Sequence, residues 1–194
     1  MTMHDNPLSN TEETLLLKLA KASIQHGLEF GKTLEVDNSS YSGLLLDPGA
    51  AFVTLEKRGE LRGCIGSVEA YRPLIEDVAE NAWQAAFGDP RFPNLHQHEY
   101  DQLDLEISIL TQATPMSFKS EQDFLAQIVP RRDGLIIEDG YHRGLFLPAV
   151  WDKLPSVEAF VTHLKQKAGL HPDHWSDTLT VRRFFCYEIK SHAD

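Results

Sequence analysis

The residues of this chain best suited to chemistry lie in Leu61 to Gly66, LRGCIG. There Cys64, one of only two cysteines, stands between glycines and two residues after Arg62. A cysteine acts as a nucleophile through its thiolate, and neighbouring cations or inward-turned backbone N–H groups favour that charged form. Gly63 and Gly66 permit backbone conformations closed to other residues, so consecutive amides can turn toward an anion. On a strand, alternation aims Arg62 and Cys64 to one face. The competing account is steric: free cysteines are commonly small, inert packing residues, and glycines allow close approach. Taken alone, the hexapeptide fits packing better than catalysis. Cys186, in an apolar strand without glycines, is assigned to packing.

The other candidates are similarly two-sided. FGDPRFPNL holds Asp89 and Arg91 between prolines just after a helix end, and a rigid loop in which the two pair internally is its simpler account. Glu106 lies in LDLEISIL, whose alternate residues are apolar. It is either solvated or a carboxylate facing Arg62 and Cys64, able to orient one of them or accept a proton. No histidine neighbours Cys64 in sequence, so a Cys and His pair has to form in the fold, with His142 as the candidate. His96 with His98, and His171 with His174, lack a metal-ligand spacing. GCIGS lacks the lysine of a phosphate loop, and GELRGCIG does not open into a helix. No metal or cofactor is expected.

Stepping outward, the hydrophobic periodicity supplies the elements that position these residues. Ser9 or Asn10, with Glu12 or Glu13 three residues on, caps a first helix whose stripe of Leu15, Leu16, Leu19 and Ala22 to Ser23 is expected in the core, ending near Gly27 or Gly31. Ala51 to Lys57 and Leu61 to Ile65 flank RGE as a hairpin. Pro73 opens a helix that stops at Gly88. Leu103 to Leu110 alternate as a strand. A short helix spans Glu121 to Val129, and a second hairpin pairs Leu135 to Glu138 with Gly144 to Leu147. Ser156 caps a helix running to Gly169, and TLTVRRFFCYEIK closes the chain as one strand. The two halves, about 51–110 and 135–190, share an order of hairpin, Arg-Gly, apolar strand, proline and helix. As a duplication this matches Arg62 with Arg143 and Cys64 with Leu145.

The 194 residues, 42% of them hydrophobic, are enough for a sizeable core in one domain or two intimate lobes. A net charge of −11 disfavours nucleic acid and leaves any anion site dependent on a local arginine cluster. No apolar run approaches the roughly 20 residues of a membrane span, and MTMHDNPLSNTEE has no basic and then apolar signal, so a cytoplasmic protein with two free thiols is expected.

At this point LRGCIGSVEAYRPLIEDVAENAWQAAFGDPRFPNL, LDLEISIL, DGLIIEDGYHRGLFLPAVW and HLKQKAGL together resemble the AMMECR domain over nearly the whole chain. LRGCIG followed by DPRFP at this separation is the specific part. The resemblance implies a single α+β domain spanning 1–194, built of two similar β/α repeats around a single barrel-like sheet with flanking helices. It also implies a cleft between two lobes that opens Cys64 to ligand. Bacterial and archaeal members are similar to the A component of a three-part system with a Memo-like protein and a radical-SAM enzyme as partners. Carried over by motif are Cys64, Arg62, Gly63, Gly66, Asp89, Arg91 and Glu106. On an enzymatic account Cys64 is the nucleophile and Arg62 its thiolate-stabilising cation. Glu106 is then a base or orienting acceptor, and Asp89 with Arg91 a clamp for an anionic or carbonyl-containing small molecule. On the alternative account the same groove is a binding module for a partner or intermediate. Ala149, where a glutamine is usual, and His142, where a basic residue is common, depart from the pattern.

Overall fold

A computed structural model describes residues 7–191. The chain divides into two compact units. One comprises the residues up to Ile109 with the C-terminal segment from Tyr187, and the other runs from Leu110 to Cys186.

The first unit opens with α1 (Asn10–Phe30), closed at its start by a capping box between Ser9 and Glu12 and at its end by Gly31 in the left-handed region at φ 68°. Its buried face is Leu16, Leu19, Ala20, Ser23, Ile24 and Gly27, so the expected stripe is rotated: Leu15 and Ala22 face solvent. β1 (Pro48–Lys57) and β2 (Glu60–Gly66) form the expected hairpin around Arg58 and Gly59, both at positive φ. The two-residue strand β3 (Arg72–Pro73) pairs with the start of β1 and leads into α2 (Leu74–Phe87). The fully buried Asp77 ties these pieces together. Its carboxylate accepts from the Ala51 N–H at 2.9 Å, Ser67 Oγ at 2.6 Å, Arg72 Nε at 2.9 Å and Asn81 Nδ2 at 3.0 Å. β4 (Leu103–Leu110) buries Leu103, Leu105, Ile107 and Ile109 as the alternation predicts.

In the second unit, β5 (Thr114–Pro115) and α3 (Glu121–Gln127) precede the hairpin of β6 (Gly134–Asp139) and β7 (His142–Phe146). α4 (Val157–Lys167), capped by Ser156, then leads to β8 (Thr180–Phe184). Its core centres on Trp151, stacked on Phe160 with ring centroids 3.8 Å apart and its indole N–H donating to the Asp133 carbonyl at 2.8 Å.

The closing segment is two strands rather than one. β8 ends at Phe184 and β9 (Cys186–Ser191) belongs to the other sheet. Phe185 is the break: its N–H donates to Thr111 Oγ1 at 2.9 Å and its carbonyl accepts from the Thr111 N–H at 2.8 Å, so neither group extends a ladder. The single barrel-like sheet expected from the resemblance is not formed. The described strands sort into two open sheets, one running β2-β1-β4-β9 with β3 beside β1, the other β5-β8-β6-β7. The architecture is mixed α and β with antiparallel hairpins. Written from the hairpin outward, the two orders are β2-β1-β4-β9 and β7-β6-β8-β5, and the first sheet ends in a strand contributed by the second half of the sequence.

Candidate functional site

The LRGCIG strand owes its shape to a bulge. Lys57 pairs with Glu60 and Glu56 with Leu61, but Leu55 pairs with Gly63, leaving Arg62 as the extra residue. Unbulged counting would set Thr54 opposite Gly63; the bulge sets it opposite Cys64 instead. Gly63 lies against α2, where a Cβ would overlap the carbonyl oxygen of Ala85, and a Cβ on Gly66 would overlap the Phe52 ring. Both glycines are thus required by close approach. Cys64 is half-buried, and its sulfur accepts a hydrogen bond from the Thr54 hydroxyl at 3.3 Å.

The loop after α2 closes over this strand. Asp89, its side chain 2% exposed, accepts from the Cys64 N–H at 2.9 Å and the Arg91 N–H at 3.1 Å, and from Arg91 Nε and Nη2 at 2.9 and 2.7 Å. These bonds, Arg91's guanidinium first, hold the Asp89 carboxyl well below the usual carboxylate range despite its burial. Arg91 also donates to the Cys64 carbonyl at 3.3 Å and remains half exposed. Its pKa is raised, first by the bond to Asp89 and further by electrostatic coupling to Asp89 and to Cys64. The cation electrostatically coupled to the sulfur is therefore Arg91.

Arg62 is engaged elsewhere. Its Nε and Nη2 grip Glu99 at 3.1 and 3.0 Å, and Nη2 also reaches the Asn94 carbonyl at 3.4 Å. Glu99 further accepts from Lys57 Nζ at 2.9 Å and the His96 N–H at 3.1 Å. Arg62 foremost, with Lys57 and the His96 amide, pulls the Glu99 carboxyl far below its ordinary value. Phe92 lies against both guanidiniums, its ring centroid 5.9 Å from Arg62 Cζ and 5.5 Å from Arg91 Cζ.

Glu106 is not brought to this cluster. It sits on β4, with β1 between it and β2, which at ~4.8 Å per strand separates the two backbones by about 10 Å. Its carboxylate pairs with Lys190 at 2.8 Å and accepts from Ser108 at 3.3 Å. His142 lies in the second unit, bonded through Nδ1 to the Ala168 carbonyl at 3.1 Å. Ala149 is exposed on the 3-10 turn Pro148–Asp152, and Cys186 opens β9 half-buried. Sequence reasoning missed Thr54, because the bulge that pairs it with Cys64 leaves no mark in residue type. It also missed Glu99 and Phe92, whose roles depend on the path of the chain between α2 and β4. Among the described residues no group of three His, Cys, Asp or Glu side chains is placed to hold a metal ion, and no helix is long and apolar enough to cross a membrane.

The DPRFP loop thus closes over the bulged Arg-Gly-Cys strand through Asp89 and Arg91. The model of the AMMECR1 family matches residues 17–189. The chain belongs to the AMMECR1 family. A protein of Methanothermobacter thermautotrophicus is 41% identical over 184 residues, covering 92% of this chain and 93% of its own. One from Methanocaldococcus jannaschii is 40% identical over 185 residues, covering 91% and 89%. The crystal structure of an uncharacterised Pyrococcus horikoshii protein aligns with a TM-score of 0.86 at 31% identity, over 96% of this chain and 95% of that one. AMMECR1 membership thus spans both units.

Proposed function

We propose that this AMMECR1-family chain is the A component of a system shared with a Memo-like protein and a radical-SAM enzyme, and that Cys64 presents a thiol to an anionic or carbonyl-containing small molecule. The observation that carries this reading is the setting of the sulfur. A half-buried Sγ accepts the Thr54 hydroxyl, and the half-exposed Arg91 guanidinium bonds the carbonyl of the same cysteine. A hydroxyl donor and a neighbouring cation suit a thiol that meets an anionic or carbonyl-containing ligand. A thiolate so placed can add to a carbonyl carbon: the C–S bond forms, the C=O electron pair moves to oxygen, and oxygen takes a proton from solvent. In this reading Arg91 replaces Arg62 as the cation at the sulfur. Asp89 serves as an internal acceptor that fixes Arg91, and Glu106 has no part. Neither Cys64 nor Cys186 is in a disulfide, which supports a reducing compartment such as the cytosol.

The matched strand orders support a duplication in which only the first copy carries a cysteine at the matched strand position. In the second, Leu145 stands in place of Cys64, and Lys167 Nζ reaches its carbonyl at 2.8 Å as Arg91 reaches that of Cys64. The cation recurs and the thiol does not.

A second reading, a non-catalytic binding module, draws on a different observation. The Cys64 N–H is held by Asp89 and so cannot stabilise an oxyanion, and the only hydrogen-bond partner of the sulfur among the described residues is a hydroxyl rather than a base. Alkylation by iodoacetamide across pH tests the thiol reading: Cys64 reacts faster than Cys186, and Arg91→Ala slows it. Equal, slow labelling of both cysteines overturns the reading. Cys64→Ser and Cys64→Ala then separate the two roles. Loss of turnover of the reconstituted system with partner binding intact marks thiol chemistry, whereas full turnover by Cys64→Ser marks a groove.

A further inference from the structure

Building on the assignment of Cys64 as the contact thiol, we infer that the small molecule it meets carries a carboxylate, and that Arg62 holds that carboxylate through Nη1. Arg62 has two of its three nitrogens occupied, Nε and Nη2 by Glu99 and the Asn94 carbonyl. The third, Nη1, is buried and has no hydrogen-bond partner, on a side chain only 10% exposed. A buried cationic N–H without an acceptor is strongly disfavoured, so an orphaned guanidinium nitrogen marks a place where the folded chain lacks an oxygen.

The charge count points the same way. At Arg62 the structure sets two cations, Lys57 and Arg62, on the single carboxylate of Glu99. One positive charge is left over, in a chain whose net charge is −11. One surplus charge and one free nitrogen match a carboxylate monoanion, whereas a phosphate dianion would leave an unpaired negative charge in a part-buried site. Neither Nε nor Nη2 can turn to a ligand without breaking the Glu99 pair, so Nη1 is the only part of the guanidinium free to recognise one.

Phe92 links Arg62 to the Cys64 site. Phe92, half-buried in the DPRFP loop, is the ring lying against both the Arg62 and the Arg91 guanidiniums. That ring is therefore the side chain shared by the Arg62 guanidinium and by Arg91, the residue bonded to the Cys64 carbonyl. In this proposal a carboxylate that displaces the ring is gripped by Arg62 Nη1, and the rest of the molecule extends past Arg91 to Cys64. Arg62 is thus a binding residue for the acid group, and its Glu99 pair keeps the guanidinium pointed.

Calorimetric titration of the full chain with acetate, and separately with inorganic phosphate, tests this. Acetate is expected to bind the wild type more tightly than phosphate does. Arg62→Lys, which keeps a cation for Glu99 but has no second nitrogen to offer, is expected to weaken acetate at least about tenfold. Phe92→Ala, which leaves the Arg62 pair intact and removes the ring, binds acetate at least as tightly as the wild type. Wild-type acetate affinity in Arg62→Lys, or phosphate binding ahead of acetate, overturns the proposal. If Arg62→Lys does not fold, Phe92→Ala decides, because acetate binding by neither it nor the wild type is equally fatal. The Cys64→Ala variant keeps the two claims apart. It retains acetate binding if Arg62 is the anchor, even where alkylation has shown the thiol to be unreactive, and loss of acetate binding in a folded Cys64→Ala overturns the anchor.

Discussion

Replacing Asp89 by asparagine preserves the size of the side chain and removes its charge, which tests whether this carboxylate is an internal acceptor or a contact for ligand. Bonds from the Cys64 N–H, the Arg91 N–H and two guanidinium nitrogens of Arg91 converge on it. The Arg91 side chain is 55% exposed, so the ion pair as such contributes at most ~1 kcal/mol. The bonds from the backbone N–H groups end on a carboxylate that is 2% exposed, and a charge-assisted bond of that kind contributes ~1.5–3 kcal/mol. An asparagine keeps one acceptor oxygen, so the expected loss is about 2–3 kcal/mol. For a chain of this length that lowers the melting temperature by roughly 4–12 °C. The sign with pH follows from the direction of the shift. A carboxyl held below its unfolded value of about 3.9 stabilises the fold above that pH, and the contribution disappears as pH falls through and below it. Melting curves of wild type and variant, recorded by circular dichroism at neutral pH and at a series of acid pH values, should differ most at neutral pH and converge on acidification. An unchanged melting temperature, or a gap that does not narrow in acid, refutes the account of Asp89 as a buried staple between β2 and the DPRFP loop. An asparagine variant of native stability that has lost ligand binding makes it a ligand clamp instead.

Gly63→Ala drives a Cβ into the backbone carbonyl of Ala85, whereas the matching Gly144→Ala meets its nearest atoms at 3.0 Å. Thermal melts should show the first variant unfolded or destabilised by several-fold more than the second, and equal losses would contradict the packing of β2 on α2. Removing residues 186–194 takes away β9, with buried Ile189 and the Lys190 partner of Glu106, and bares the edge of β4. That truncation should be insoluble or molten, and a cooperative melt at the full-length temperature would disprove a completing role for the strand. Asp139, hydrogen-bonded by Ser176, Thr178 and His174, has its carboxyl lowered to about 2, first by the Ser176 hydroxyl. Its stabilisation is present above the unfolded value and is lost as pH falls toward 2. Asp139→Asn should therefore flatten acid unfolding in that window, and an unchanged acid limb would show the knot to be decorative.

Most of the element map is legible in residue order because its causes are local. Ser9 with Glu12 makes a capping box within one turn, Arg58 and Gly59 make a tight hairpin, and Leu103 to Ile109 alternate because side chains on a strand alternate. The family resemblance alone put Cys64, Asp89 and Arg91 at one site, and the structure joins them through bonds to the Cys64 N–H and carbonyl. What residue order could not supply was each side chain's partner. A single bulge residue changes which side chain sits across from Cys64, giving it Thr54, and alternation from Arg62 says nothing of where a long guanidinium ends. Arg62 is claimed by Glu99, 37 residues away, and Glu106 by Lys190, both on elements that meet only after the chain has folded. The closing strand is divided for the same reason. Phe184 to Tyr187 is as apolar and β-prone as the residues around it, and only the pairing of Phe185 with Thr111 sends the two halves into different sheets. Local propensities set where helices and strands form, whereas charge pairing and sheet membership are decided by long-range contacts, whose energy depends on which groups the fold brings within a few ångströms.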